Sequence, residues 1–287
     1  MDGYQIRAYA KINLGLDVLR RLPNGYHEVE MVMQSVGLWD ELALERAEGG
    51  ISITTDAAGL STGEDNLIYK AARLMFEKYG ISSGLRVRLQ KNIPIAAGMA
   101  GGSTDAAAVM KGINHLFGLG LSPAQLMEDG VAIGADVPYC ILGGTALAQG
   151  IGERLTPLPP LPPCHILIAK PYISVSTKYV YQHLDANGIE LHPDIGGMVQ
   201  ALRDGSLNGV LERMGNVLET VTVPAHPVIA DLKARMRGLG AADSLMSGSG
   251  PTVFGIFREE DRAQAQAALE ALGQEGLASQ VFLTTPM

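Results

Sequence analysis

Cysteine is almost absent from this chain: of 287 residues only Cys140 and Cys164 carry a thiol. Two cysteines build no disulfide framework and these lack metal-ligand spacing, so the composition points to a reducing cytoplasm. Long hydrophobic runs are missing as well. Apolar residues make up 47%, yet no uninterrupted stretch reaches the ~18 residues of a membrane span. The N-terminus carries Asp2 and alternating polar residues rather than a basic segment followed by an apolar one, so it does not read as a signal peptide. Positive charge is scarce too. A formal net charge of −8 argues against the basic field of a nucleic-acid binder. Anionic ligands must then be held by local backbone donors and a few lysines. There is no internal repeat and no low-complexity segment.

Several phosphate-binding signatures are also lacking. No G-x-x-x-x-G-K-[ST] occurs, no G-x-G-x-x-G, and no H-R-D or D-F-G element. What is there is Pro94-Ile95-Ala96-Ala97-Gly98-Met99-Ala100-Gly101-Gly102-Ser103-Thr104, running into a helical pattern. Ala106, Val109, Met110, Ile113, Leu116 and Phe117 follow the spacing of one buried helical stripe. Ser103 or Thr104 is placed to cap that helix. A glycine-rich loop entering a helix N-terminus is an anion site, because unpaired N–H groups and the helix dipole both face the ligand. A phosphate is the expected occupant; the plain alternative is a Gly/Ala-rich turn before a core helix.

The rest of the chain reads as an α+β protein in two halves. Strands are expected over 5–18 and 29–46, with Leu22-Pro23-Asn24-Gly25 as the turn between them. A helix over 65–79 and a strand near 85–91 follow. Ser122-Pro123 starts a further helix that Gly134 stops, and 138–149 looks strand-like. The proline-rich stretch 155–163 is the best linker candidate, giving domains 1–156 and 157–287. Beyond it the pattern predicts a strand over 165–170, helices over 176–186, 195–220, 226–239 and 259–273, and strands over 252–257 and 279–285.

The glycine loop resembles the phosphate motif of the GHMP kinases, P-x-x-x-G-L-x-G-S-S, with Met99 where leucine is usual and Thr104 where a second serine is common. Three more stretches follow in the family's order: Ala8-Tyr9-Ala10-Lys11-Ile12-Asn13-Leu14-Gly15-Leu16 with Gly25-Tyr26-His27, then Gly134-Ala135-Asp136-Val137-Pro138-Tyr139, then Ser247-Gly248-Ser249-Gly250-Pro251-Thr252. Together they are similar to the branch of that family acting on a diphosphocytidyl methylerythritol in the non-mevalonate isoprenoid pathway. The likeness runs from about residue 7 to residue 257. It implies a two-domain fold, with an N-terminal domain like domain 2 of ribosomal protein S5 and a ferredoxin-like C-terminal domain. It implies ATP as phosphate donor and a small-molecule alcohol as acceptor, with no nucleic-acid or membrane partner.

The resemblance also assigns roles. Lys11 and Asp136 match the family's catalytic pair. By spacing alone, Lys11 is an ordinary lysine on a half-exposed strand and Asp136 a turn cap. In phosphoryl transfer to an alcohol an aspartate receives or orients the hydroxyl proton, and a lysine ammonium neutralises charge on the transferring group. Tyr26 and His27 match the segment that reads cytosine, and Tyr181 is chosen over Tyr179 as the second aromatic wall. Asn13, Ile151 and Thr177 complete the implied substrate contacts. Residues 94–104 would hold the ATP phosphates. Mg²⁺ is expected with ATP, with water, phosphate and the Ser103 hydroxyl as its contacts and no carboxylate cluster. Asp105, an acid in the first turn beside a bound phosphate, is expected to point away from it or to attract a metal. A kinase of the same family with another small alcohol as substrate, or a noncatalytic nucleotide sensor, are the alternatives at this point.

Overall fold

Alternating side chains along the first fifty residues set up two long strands, longer than the pattern predicts. The structure, a computed structural model, describes residues 3–287. In chain order the first elements are β1 Gly3–Arg21, β2 His27–Ala47, β3 Ile51–Thr55, α1 Leu67–Tyr79, β4 Gly84–Gln90, α2 Gly101–Leu116, α3 Pro123–Gly130 and α4 Val137–Leu142. Then come β5 Thr145–Gly150, β6 Arg154–Pro157, β7 Cys164–Lys170, α5 Thr177–His183, α6 Ile195–Arg203, α7 Leu207–Leu211 and β8 Gly215–Asn216. The chain ends with α8 Glu219–Ala225, α9 Val228–Gly238, β9 Asp243–Met246, β10 Val253–Arg258, α10 Arg262–Gln274 and β11 Gln280–Thr284.

The chain forms two compact units that interleave along the sequence. One contains 3–10, Leu38–Ile95 and Ala100–Gly143; the other contains Lys11–Gly37, Ala96–Met99 and 144–287. In the first unit β4 is antiparallel to the second half of β2, from Glu41 opposite Gln90 to Ala47 opposite Gly84, and β3 lies parallel to β4. Helices α1 and α2 cover this sheet through a core that includes Leu42, Leu44, Met75, Val87, Val109, Met110 and Ile113. Burying each large apolar side chain contributes about 1.5–3 kcal/mol. Phe117 lies just past the end of α2 and meets Phe76 edge-on at 5.7 Å.

In the second unit β5 is antiparallel to the first half of β2 and to β6, while β8 runs parallel to β1 with Gly15 opposite Gly215. A separate antiparallel sheet has the order β11-β7-β10-β9. Counted from β7, that is fourth, first, third, second, the arrangement of a ferredoxin-like sheet.

Several local expectations are corrected. The stretch 138–149 is not one strand: α4 occupies Val137–Leu142 before β5 begins. Too short to show a helical period, its apolar run reads equally as a buried strand. Helix α3 does start at the Ser122 capping box, but it ends at Gly130 rather than Gly134. The proline-rich stretch is not a free connector, since β6 uses its first residues and Leu161 is buried with its N–H on Thr145 Oγ1. The helix expected over 195–220 breaks into α6, α7 and the short β8, and β3 is a strand beyond those expected.

Candidate active site

Lys11 and Asn13 share one face of β1. Both are buried, Lys11 to 5% exposure and Asn13 completely, so the half-exposed surface strand is ruled out. A lysine taken from water needs polar partners. Lys11 Nζ donates to Asn13 Oδ1 at 2.8 Å, and Asn13 Nδ2 reaches Met31 Sδ at 3.4 Å. The Lys11 backbone N–H donates to the Met99 carbonyl at 3.2 Å, which seats the glycine loop beside this strand.

The same part of the loop is tied to the Ser247–Thr252 turn. Ser247 Oγ donates to the Gly98 carbonyl at 3.0 Å. Gly98 has φ +73°, and a Cβ there would collide with the Ser247 carbonyl and sit 3.0 Å from that of Gly250. Gly248, at φ +57°, is less crowded: a Cβ on it would be 3.2 Å from the Gly98 carbonyl and in ordinary contact with Asn13 Oδ1 at 3.5 Å and Lys11 Nζ at 3.6 Å. Only glycine meets both the left-handed backbone and the close approach. Asn216, which sequence reasoning missed, holds this turn. Its Nδ2 donates to the Met246 and Gly248 carbonyls at 2.8 and 2.7 Å, and its Oδ1 accepts from Leu218 N–H. Thr177 joins the turn from α5, with its hydroxyl 2.8 Å from Ser249 Oγ.

His27 and Tyr181 come together, their ring centroids 5.3 Å apart. Burial and the charge of Arg21 push the His27 pKa below its ordinary value, which favours the neutral ring, a donor and an acceptor at once. Tyr179 instead stacks on His183 at 3.9 Å, so its ring is engaged elsewhere. Tyr26 is 58% exposed, and its backbone N–H donates to Asn24 within the β1–β2 turn. Ile151 is half-buried in the turn between β5 and β6, where its N–H donates to Glu153 Oε2 at 2.7 Å.

The remainder of the loop lies in the first unit. Pro94 and Ile95 lead into it, and its 96–99 stretch turns at Ala96 with φ +53°. Helix α2 begins earlier than expected. Its N-cap is Ala100 at φ +57° with no side-chain cap, so Gly101, Gly102, Ser103 and Thr104 form the first turn. Ser103 and Thr104 therefore do not cap it. Thr104 Oγ1 donates to the Tyr9 carbonyl at 2.8 Å. An alanine in the left-handed region is rare and marks strain of about 1–2 kcal/mol. The N–H groups of this first turn keep the anion-binding character of a helix start.

Asp105 points away from that opening. Its Oδ2 accepts from Lys91 Nζ at 2.7 Å, and the same ammonium pairs with Asp40. Asp40 Oδ1 accepts the N–H groups of Asn92 and Ile93 at 2.6 and 2.8 Å. Burial pushes the Asp105 pKa up to about 8, with Lys91 opposing the shift and Asp40 adding to it. Neither Asp40 nor Lys91 stood out in the sequence.

Asp136 is the N-cap residue of α4, but its side chain makes no capping hydrogen bond, so the turn-cap reading fails. It is half-buried. Two residues earlier, a Cβ on Gly134 would sit 4.0 Å from Ser103 Oγ, which brings the Asp136 turn up to the start of α2. Lys111 of α2 ties α4 down by donating to the Cys140 carbonyl at 3.2 Å, its pKa lowered by burial. Among the described residues no group of three or more His, Cys, Asp or Glu is placed to hold a metal ion. Among the described residues no helix is long and apolar enough to cross a membrane.

The glycine loop lies against a buried lysine and leads into a helix start without Walker or Rossmann letters. Residues 66–144 match the family model of the GHMP kinases N terminal domain and residues 198–276 that of the GHMP kinases C terminal domain. The 4-diphosphocytidyl-2-C-methyl-D-erythritol kinase of Lachnospira eligens is 53% identical over 99% of this chain and 98% of its own. A crystal structure of 4-(cytidine 5'-diphospho)-2C-methyl-D-erythritol kinase superposes with TM-score 0.83 at 34% identity, covering 99% of each chain. A homoserine kinase structure from Cytophaga hutchinsonii superposes at TM-score 0.79 over all of this chain and 95% of its own, but at 21% identity it shares only the fold. The chain belongs to the GHMP kinases, and within them to the 4-diphosphocytidyl-2-C-methyl-D-erythritol kinase family.

Proposed function

We propose that the chain uses ATP to phosphorylate the 2-hydroxyl of 4-diphosphocytidyl-2-C-methyl-D-erythritol, with Lys11 and Asp136 as the catalytic pair. The observation that carries this reading is a buried lysine whose neighbours are Asn13, the Gly98–Met99 stretch and Gly248, in a chain more than half identical to a relative of that name. Asp136 takes or orients the proton leaving the substrate hydroxyl. Lys11 neutralises charge gathering on the phosphoryl oxygens as that bond forms. Its partner Asn13 fixes the ammonium in place, so no reorientation is needed during transfer.

Residues 94–104 receive the ATP phosphates, through backbone N–H groups of the loop and of the first turn of α2. Mg²⁺, when bound with the nucleotide, would supply charge neutralisation to the phosphates. The Ser103 hydroxyl is the protein oxygen we assign to it, which suits a cation that keeps several waters. His27 and Tyr181 take the cytosine, one by its edge and the other by its face, with Tyr26, Asn13, Ile151 and Thr177 as further contacts. A site built to hydrogen-bond a base edge rejects the wrong base by leaving polar groups unpaired. A cytoplasmic location is part of the same reading, in keeping with a chain that has only two cysteines. Following ATP consumption with the cytidyl alcohol, homoserine and mevalonate in parallel tests the assignment. Turnover confined to the cytidyl alcohol is expected, and turnover of another alcohol in its place would overturn it.

A further inference from the structure

The loop proposed to receive the ATP phosphates is closed at its base by a buried cluster of ionisable side chains. Lys91 lies just past the end of β4, and its ammonium is nearly sealed from water, 6% exposed. It bonds Asp40 of β2 and Asp105 of α2 at once. Asp40 binds the bend that leads out of β4 by accepting the Asn92 and Ile93 N–H groups. Asp105 belongs to the second turn of α2, past the far end of the loop. A Cβ on Gly101 would sit 3.0 Å from Lys91 Nζ, so the first residue of the helix rests directly on the ammonium. The second oxygen of Asp105, Oδ1, is buried without a hydrogen-bond partner, so its carboxyl is held through Oδ2, which faces Lys91 and Asp40.

We propose that Lys91 and Asp105 form a clasp that sets the shape of the phosphate-binding loop, making both positioning residues for ATP. The inference rests on the reading that residues 94–104 hold the ATP phosphates. Between the two ends of the clasp lie Ala96 and Ala100, the two non-glycine residues with positive φ among those described. Strained residues persist only where their surroundings over-determine them, and the clasp supplies that constraint from below. None of Asp40, Lys91 and Asp105 is among the residues proposed to take the alcohol, so loss of the clasp is felt by the nucleotide and not by the alcohol.

Steady-state kinetics of Asp105→Ala, Asp105→Ser and Asp105→Asn, each substrate varied separately, test this. Asparagine retains an oxygen that accepts from Lys91; alanine and serine do not reach it. The expected result is a KM for ATP raised at least fivefold by alanine and by serine. The KM for the alcohol and kcat at saturating ATP should stay within twofold, and asparagine should return the ATP KM to within twofold of wild type. An unchanged ATP KM in folded Asp105→Ala or Asp105→Ser protein would overturn the clasp, as would a parallel rise in both KM values. Loss of cooperative melting in both would overturn it as well, by showing an ordinary core contact. Ser103→Ala, measured alongside, separates this from the reading beneath it. If that change also leaves ATP binding untouched, the loop itself is wrongly assigned; if it weakens ATP while the Asp105 variants do not, only the clasp fails.

Discussion

Replacing Gly98 by alanine is a one-carbon change whose consequence can be worked out from the backbone. At φ +73° any side chain carries a left-handed strain of about 1–2 kcal/mol. The new Cβ would also collide with the Ser247 carbonyl and lie 3.0 and 3.2 Å from the Gly250 oxygen and nitrogen. Those contacts are backbone, so the loop or the turn must move, at about 1–3 kcal/mol of overpacking. The sum is about 2–5 kcal/mol, or a melting temperature lower by roughly 2–4 °C for each kcal/mol. Gly118 supplies the control. Its φ is +63° with nothing within 4 Å of a Cβ, so Gly118→Ala carries the left-handed strain alone. Moving Gly98 also disturbs the Met99 carbonyl that accepts from Lys11 and the Gly98 carbonyl that accepts from Ser247. Gly98→Ala should therefore lose turnover as well, whereas Gly118→Ala should keep it. Melting curves and kinetics of the two variants decide. Equal melting temperatures with equal activity would refute the close approach of loop and turn.

Other consequences follow from the same geometry. His27→Ala and Tyr181→Ala should raise the KM for the cytidyl substrate and leave that for ATP nearly unchanged, a loss of uniform binding, with Tyr26→Ala weaker because that ring is exposed; an effect on ATP instead would assign the aromatics to the adenine. Since burial and Arg21 lower the His27 pKa, the folded chain takes up this proton less readily than the unfolded one, and stability falls as pH drops below the ordinary histidine value of 6.5. The cytidyl KM should rise in that acidic range, a trend that His27→Ala should abolish. Asp105, raised by burial to about 8, holds a proton in the folded chain that the unfolded chain has released above pH 3.8. Wild-type stability should thus fall as pH rises from 4 to 8, by at most ~1.4 kcal/mol per pH unit from this group. Asp105→Asn does not titrate, so its deficit against wild type should shrink toward pH 8; a deficit constant with pH would contradict the buried proton. Asn216→Ala leaves the Met246 and Gly248 carbonyls and the Leu218 N–H unpaired, at about 1–3 kcal/mol. Urea unfolding should register that loss, together with lower kcat as the turn slackens over Lys11.

What was legible in the sequence was mostly local. The alternation around Lys11 and Asn13 marked a strand, and Ser122-Pro123 marked a capped helix, because each signal is carried by neighbours in the chain. The polar face of β1 was misjudged for the opposite reason. Whether Lys11 faces water depends on Gly98 and Gly248, which the fold brings from far along the chain. The sequence pattern puts the start of α2 too late, since no propensity favours an alanine N-cap with positive φ; the surroundings impose it. Lys91 was invisible because its partners lie 51 and 14 residues away, beyond any helical or strand period. Asn216 belongs to a two-residue strand inside a segment whose composition reads as helix. The site residues Lys11, His27 and Asp136 came from motif letters, not from periodicity; their chemistry had to be lent by resemblance.

The central claim is that this chain transfers phosphate from ATP to the cytidyl alcohol through Lys11 and Asp136. Its most direct test is the turnover of purified wild type against Lys11→Met and Asp136→Asn, measured at saturating ATP and alcohol with ³¹P detection of the product. Methionine keeps the length of the lysine stem and asparagine the shape of the aspartate, so each variant should remain folded. Wild type should make the phosphomonoester, and each variant should lose on the order of a hundredfold or more in kcat, about 3 kcal/mol of transition-state stabilisation, with little change in the KM for ATP. Product formed by either variant at close to the wild-type rate would contradict the account.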